Sequence, residues 1–350
     1  MSPPAIRVAT IGTWGHFGQV LAEILTMPDC QLVAHARATP EDDIAALARH
    51  TGGKNIPWFN DHHQMLREIR PDVVIVSTRI DRINPIAIDA ANAGCHLICE
   101  KPLAIEHADL LRLWEAVTTN KRQCIAMLGN ARHPVMQAAT GVLRSGKAGD
   151  VILLNARKSY KWGDRPEWFG QRKTYGGTIG WIAIHALEMV HHLSRQSFTS
   201  VAAMQSNFSH SDHPGCEDNG SIILGLSGGG STSISFDFLR PQAASTHGDD
   251  WVRIVCSKGI IEAALDRNTC KFISDDSPEH EIPLPPPGPF YSTFLRGLSQ
   301  QIPCPLAEMA QAFMLTHVCL RARDAADKDT VEPISPGPWQ PALSWDFLSV

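Results

Sequence analysis

The sequence predicts an α/β domain with a doubly wound parallel sheet over residues 1–128, then an α+β domain with an open, mostly antiparallel sheet over 129–330, and a tail over 331–350. Three observations carry this expectation. Short apolar runs alternate with stretches of helical periodicity through the first third of the chain. That alternation builds a parallel sheet covered on both faces. A glycine-rich stretch joins the first apolar run to the first helix. Beyond Asn130 the pattern changes, and strands follow one another with few helices between them.

Ile6–Ile11 reads as the first strand. Phe17, Val20, Leu21, Ile24 and Leu25 fall at helical spacing after it. Between them lies Gly12-Thr13-Trp14-Gly15-His16-Phe17-Gly18, spaced G-x-x-G-x-x-G rather than G-x-G-x-x-G. A strand, a glycine turn and a helix N-terminus in that order form a cradle for a pyrophosphate, so these seven residues are expected to bind a dinucleotide. Gln31–Ala36 is the second strand. An NAD-binding fold of this type carries an acid at that strand's end, on the ribose 2′-hydroxyl. Here Arg37 holds the place, and a guanidinium suits a 2′-phosphate. NADP is the expected cofactor, with NAD possible.

Thr39 is expected to cap the next helix, with Pro40 in its first turn. A further helix runs from Asp61 to Arg70. Asp72–Ser77 is a strand, and Ser77, Thr78 and Arg79 at its end are assigned to the cofactor. Asn84-Pro85 marks a helix start and Gly94 its stop. The apolar run Cys95–Cys99 is a buried strand, and it leads into Glu100-Lys101-Pro102-Leu103. Ligands of a doubly wound sheet sit outside the carboxyl ends of the strands. Lys101 is therefore expected at the mouth of the cofactor crevice, where an ammonium can exchange a proton with a reacting oxygen. Pro102 sets the turn, and Glu100 orients the lysine or the cofactor. A helix around Leu110, Leu111, Trp114 and Val117 then leads to a last strand, Gln123–Leu128.

In the second half, a helix carrying Val135, Met136, Ala139, Val142 and Leu143 stops at Gly146. Strands are expected at Val151–Tyr160, Val201–Phe208, Ser221–Leu226, Ser231–Phe238, Trp251–Cys256 and Ile260–Ala264. Gly228-Gly229-Gly230 is a hairpin signal. After the first of these strands comes an aromatic, cationic loop with Tyr160, Trp162, Arg165 and Trp168, suited to a polyol or carboxylate or to an oligomer contact. Trp181, His185 and Glu188 share one face of the next helix, four and three residues apart. His185, Glu188 and His192 do not form H-E-x-x-H, so no metal is expected. A long helix around Met309–Arg323 precedes the proline-rich tail, read as extended and strapped to a surface.

Composition narrows the function classes. The 350 residues are 43% hydrophobic and 19% charged, enough for a sizeable core. A net charge of −5 without a basic block speaks against nucleic acid or an anionic membrane as partner. Nine scattered cysteines without Cys-x-x-Cys fit reduced thiols in the cytoplasm. Neither a signal-like start nor a membrane-length apolar run is found.

Taken together, Glu100-Lys101-Pro102, the glycine loop and Gly176-Gly177 followed by His185 and Glu188 resemble the glucose–fructose oxidoreductase / inositol dehydrogenase family. Glu217-Asp218-Asn219-Gly220, His247-Gly248-Asp249-Asp250 and Ala322-Arg323-Asp324 are similar to its second domain. The resemblance implies a dinucleotide (Rossmann) domain, a substrate domain, and homodimers or homotetramers formed through the second sheet. It implies hydride transfer at a secondary alcohol or carbonyl of a sugar-like compound, with Lys101 as acid/base and His185 as its partner. Tyr160, Trp162, Arg165, Trp168, Trp181, His185 and Glu188 are the expected substrate residues. Trp181 stands where members often carry an aspartate. Two other readings remain at this stage: a non-catalytic dinucleotide-binding regulator, and glycoside cleavage with a tightly held dinucleotide.

Overall fold

The computed structural model describes residues 5–53, 55–299 and 306–340. These form two compact units. The first holds the described residues up to Met127, then Pro289–Thr316 and those from Pro338 onward. The second holds Leu128–Gly288 and His317–Gly337.

The first unit alternates as expected: β1 (Ile6–Ile11), α1 (Phe17–Ile24), β2 (Cys30–Ala36), α2 (Ile44–Thr51), β3 (Trp58–Phe59), α3 (His62–Ile69), β4 (Val73–Val76), α4 (Ile80–Asn92), β5 (His96–Cys99), α5 (His107–Thr119) and β6 (Cys124–Ala126). All six strands are parallel, in the order β3-β2-β1-β4-β5-β6. That is a doubly wound order, with its switch point between β1 and β4. The strands are buried on both sides: Val73–Val76 are wholly inaccessible. The α1 face packs Phe17, Val20, Leu21 and Ile24 into a core with Val8, Ile75 and Ile98.

Two helix starts differ from expectation. The helix after β2 begins at Ile44, capped by Asp43, whose carboxylate accepts from the Ala45 amide at 2.8 Å. Thr39 lies in the preceding turn because Asp42 bends that segment back on itself. The helix after β4 begins at Ile80 and carries Pro85 inside it. Asn84 is not its cap: its side-chain amide donates to the carbonyls of Leu103 and Asp109, both at 3.1 Å. The two-residue β3 has no periodicity to read, and sequence alone did not place it.

The second unit contains α6 (Pro134–Arg144), β7 (Val151–Tyr160), a short α7 (Arg172–Tyr175), α8 (Ile184–Ser194), β8 (Phe198–Ser206), β9 (Asn219–Leu226), β10 (Ser231–Asp237), β11 (Gly248–Cys256), β12 (Gly259–Ala264), β13 (Thr269–Ser274) and β14 (Ser277–Glu281). Two elements that the sequence reading missed are β13 and β14. The chain then adds α9 (Tyr291–Ser299) to the first unit, where the Phe290 and Ser292 amides donate to Glu23. Last come α10 (Leu306–Lys328), whose residues divide between the units, and β15 (Val331–Pro333).

The second sheet has nine strands in the order β14-β13-β12-β11-β7-β10-β9-β8-β15. Only β10 and β7 pair in parallel, which makes the sheet mixed. Gly228 to Gly230 turn β9 into β10, with Gly229 at φ +91°. α6 and α8 pack on the sheet. Alternation along β7 and β11 sends Leu154, Ala156 and Lys158, and Asp250, Val252 and Ile254, to the buried side. α8 is buried all round, its His185, Glu188, His191 and His192 included. The tail contributes β15 at the sheet edge and buries Trp339 against Trp114 and Phe313, while residues 341–350 lie outside the described residues.

Candidate active site

The first unit gathers its predicted cofactor residues at the carboxyl edge of the parallel sheet. Gly12 has φ +84°, and a Cβ there would meet the Ser77 carbonyl oxygen at 2.5 Å. The glycine loop thus passes directly over the end of β4, held by the Trp14 amide donating to Ser77 at 3.0 Å. Gly15 has φ +89°, and a Cβ there would lie 2.2 Å from Glu100 Oε2. Any side chain at Gly12 or Gly15 would close this space. α1 starts at Phe17 without a cap from its own N-cap side chain, and the Glu100 carboxylate accepts the His16 amide just before it. Thr78 Oγ1 is buried at the end of β4 with no hydrogen-bond partner among the described residues. These features fit a dinucleotide pyrophosphate.

Glu100 and Lys101 are wholly buried. Glu100 Oε2 accepts from the His16 amide at 2.6 Å and faces His16 Nδ1 at 2.8 Å, while Oε1 accepts from the Lys101 amide at 3.0 Å. Burial opposes ionisation of this carboxyl. The His16 charge and hydrogen bonds, with the Lys101 ammonium, outweigh it and hold the carboxyl below its usual range. Glu100 therefore ties the lysine turn to the glycine loop across the sheet edge. Pro102 is buried beside them. Arg79 turns instead to Asp81, with Nε to Oδ1 at 2.7 Å. Arg37 lies over the Trp58 ring, 5.6 Å from its centroid.

In the second unit, His185 and Glu188 lie on α8 and are 6% and 1% exposed; Trp181, just before α8, is 5% exposed. Glu188 Oε1 accepts from the Ala131 amide at 3.1 Å, and its Oε2 has no partner among the described residues. Burial pushes the Glu188 carboxyl up to about 7, partly opposed by backbone hydrogen bonds and the Lys158 charge. From β7, Lys158 contacts Asp250 of β11, directly opposite in register, and its ammonium sits 4.6 Å from the Tyr160 ring centroid. Burial works against this charge, but Tyr160 and Asp250 more than reverse it, so Lys158 is held above the usual lysine range. Asp250 Oδ1 is a further buried acceptor without a partner among the described residues.

Sequence reading missed Lys158 and named Asp250 only within the His247–Asp250 resemblance, without a role. The signal was present: both occupy the inward phase of strands whose other inward residues are apolar. The aromatic loop packs partly on itself and partly on His210 and Phe238 from outside it. Trp162 stacks on His210 at 3.7 Å and meets Phe238 edge-on. Arg165 lies 4.5 Å from the Phe238 ring centroid and 5.3 Å from that of Phe169. Trp168 packs on Phe169, and Trp181 meets Phe169 edge-on at 6.1 Å.

The Glu188 proton has a measurable consequence. Between about pH 4.5 and 7 the folded protein keeps a proton that the unfolded chain has released, so this group's stabilising contribution is lost as pH rises through that window. Glu188→Gln is expected to reduce the fall in melting temperature between pH 5.5 and pH 8 by ~2 °C or more. Equal slopes for the two proteins in calorimetric scans would disprove a raised carboxyl.

A doubly wound sheet with a glycine-loop helix, joined to a mixed-sheet domain, defines a class of two-domain dinucleotide-binding proteins. The comparisons narrow this to a family. Residues 6–128 match the oxidoreductase family with an NAD-binding Rossmann fold, and residues 136–262 match the GFO/IDH/MocA C-terminal domain. The chain belongs to this family of oxidoreductases. It is 25% identical over 173 residues to the inositol 2-dehydrogenase of Salmonella paratyphi B, covering 49% of this chain and 47% of that one. It is 29% identical over 178 residues to the levoglucosan dehydrogenase of Pseudarthrobacter phenanthrenivorans, covering 49% and 45%. The chain thus spans about half the length of these relatives. A solved Thermotoga maritima protein assigned as an oxidoreductase superposes with a TM-score of 0.89 at 30% identity, covering 94% of this chain and 100% of that one.

Proposed function

We propose that this protein is a nicotinamide-dinucleotide-dependent dehydrogenase or reductase of a sugar, cyclitol or related polyol. The observation that carries the reading is Lys101: a lysine wholly buried at the carboxyl edge of the parallel sheet, tied by Glu100 to the glycine loop. A bound nicotinamide dinucleotide supplies the hydride acceptor or donor. Lys101 holds or takes the proton of the reacting oxygen. His185 is the second proton-bearing group, on the family motif that it shares with Glu188. The unpartnered Glu188 Oε2 and Asp250 Oδ1 are buried polar atoms of the kind that polyol hydroxyls satisfy. The family relatives named inositol 2-dehydrogenase and levoglucosan dehydrogenase support this substrate class. Sugars and cyclitols screened by absorbance of the reduced nicotinamide test it, and no turnover with any polyol or keto-polyol would refute it.

A homo-oligomer through the second sheet belongs to the same reading. Ile223, Met204 and Val331 point away from the buried face and are 60%, 78% and 71% exposed. Ile223→Glu combined with Met204→Glu is expected to give a monomer in size-exclusion chromatography with light scattering. An unchanged mass would place any interface elsewhere. No described helix is long and apolar enough to cross a membrane; a cytoplasmic setting belongs to the same reading, supported by scattered cysteines without Cys-x-x-Cys.

A further inference from the structure

The turn after β2 carries three consecutive acids, Glu41, Asp42 and Asp43, with Arg37 at the strand end and Arg79 near Glu41. Asp43 caps α2 and pairs with Arg49 at 3.5 Å. Asp42 does something else. It is 9% exposed, and its carboxylate turns back onto the end of the strand. One oxygen accepts from the amides of Ala38 at 2.6 Å and Thr39 at 2.8 Å. The other accepts from the Thr13 amide at 3.0 Å and the Thr13 hydroxyl at 3.3 Å. Thr13 Oγ1 in turn accepts from the Asp43 amide at 2.8 Å. The carboxylate therefore bridges the glycine loop and the β2 end, with all four of its acceptor positions used.

A pair of adjacent backbone amides beside an arginine is what a phosphate monoester binds. Here the chain's own carboxylate already fills that place. A dinucleotide bearing a 2′-phosphate would meet an anion where it needs donors. Either like charges then face each other, or Asp42 is displaced and three amides lose their partner. A dinucleotide with a free 2′-hydroxyl brings no second anion.

We propose that Asp42 is the residue that sets dinucleotide preference, and that it selects NAD by occupying the anion pocket at the end of β2. The inference rests on the dinucleotide-binding reading of the first unit, and not on turnover. It reverses the preference for NADP that Arg37 by itself suggested. Arg37 lies over the Trp58 ring, which itself packs on His35 at 4.3 Å, and its buried Nε has no hydrogen-bond partner among the described residues.

The test is binding of NADH and NADPH to the full chain, followed by nucleotide fluorescence, with wild type, Asp42→Asn and Arg37→Ala. Wild type is expected to bind NADH ~10-fold or more tightly than NADPH. Asp42→Asn keeps the size of the side chain but removes its charge, and should narrow that ratio by ~10-fold, the scale of one strong ionic contact. Arg37→Ala should leave the wild-type ratio within a few fold. Equal or tighter NADPH binding by wild type overturns the proposal, and that measurement needs no variant to fold. An unchanged ratio in an Asp42→Asn protein with a native melting transition also overturns it. Binding of neither nucleotide would instead sink the dinucleotide reading beneath it.

Discussion

Lys101→Met is expected to lower turnover by ~10³-fold or more, within the range of lost acid–base catalysis, while the dinucleotide dissociation constant stays within a few fold. Hydride transfer from an alcohol carbon leaves a carbonyl only if the hydroxyl proton departs as well. The reverse direction needs a proton delivered. Methionine matches the length of the lysine stem and fits a wholly buried site without a charge to desolvate. Folding should therefore survive, and the defect should lie in kcat. The cradle contacts that involve Glu100 use its own carboxylate and the His16 amide and ring, so they remain after the substitution. Steady-state kinetics on the identified substrate, beside nucleotide titration, checks both halves. Near-native turnover would remove the acid/base role and favour a binding or regulatory function for the chain.

His185→Ala is expected to lower kcat by ~10²-fold or more and to alter the pH profile of kcat. A family member with an aspartate one turn earlier can orient its histidine through that carboxylate. Trp181 offers no carboxylate, and it is buried against Phe169. The acid available on the same helix is Glu188, which burial keeps protonated up to about pH 7. Its first oxygen is committed to the Ala131 amide. A purely structural role for His185 would lower protein yield or melting temperature and leave the pH profile of the remaining activity unchanged. That outcome would move proton transfer to Lys101 alone.

The elements readable from the sequence were those with a local signature. The glycine loop, the Cys95–Cys99 run ending in Glu100-Lys101-Pro102, and the Val151–Tyr160 strand each declare themselves within a dozen residues. What escaped had its cause elsewhere in the chain. Asn84-Pro85 looked like a helix start because a cap is a local motif, yet Asn84 serves carbonyls 19 and 25 residues away. Thr39 looked like a cap, but Asp42 claims the amides around it, and Asp43 takes the cap instead. Lys158 reads as an ordinary strand cation until Asp250 appears opposite it, 92 residues later.

By itself, the sequence determined the alternating first domain, the strand-rich second one and the glycine turn between the first strand and helix. Each follows from periodicity or from a residue type that its neighbours force. Only the tertiary structure decided where the carboxylates go. Glu100 bonds the N-terminus of α1, Asp42 fills the amide pocket after β2, and Glu188 keeps a proton. The physical reason is that a carboxylate's role depends on which donors surround it and how far water is excluded, and those donors come from segments that sequence spacing does not bring together.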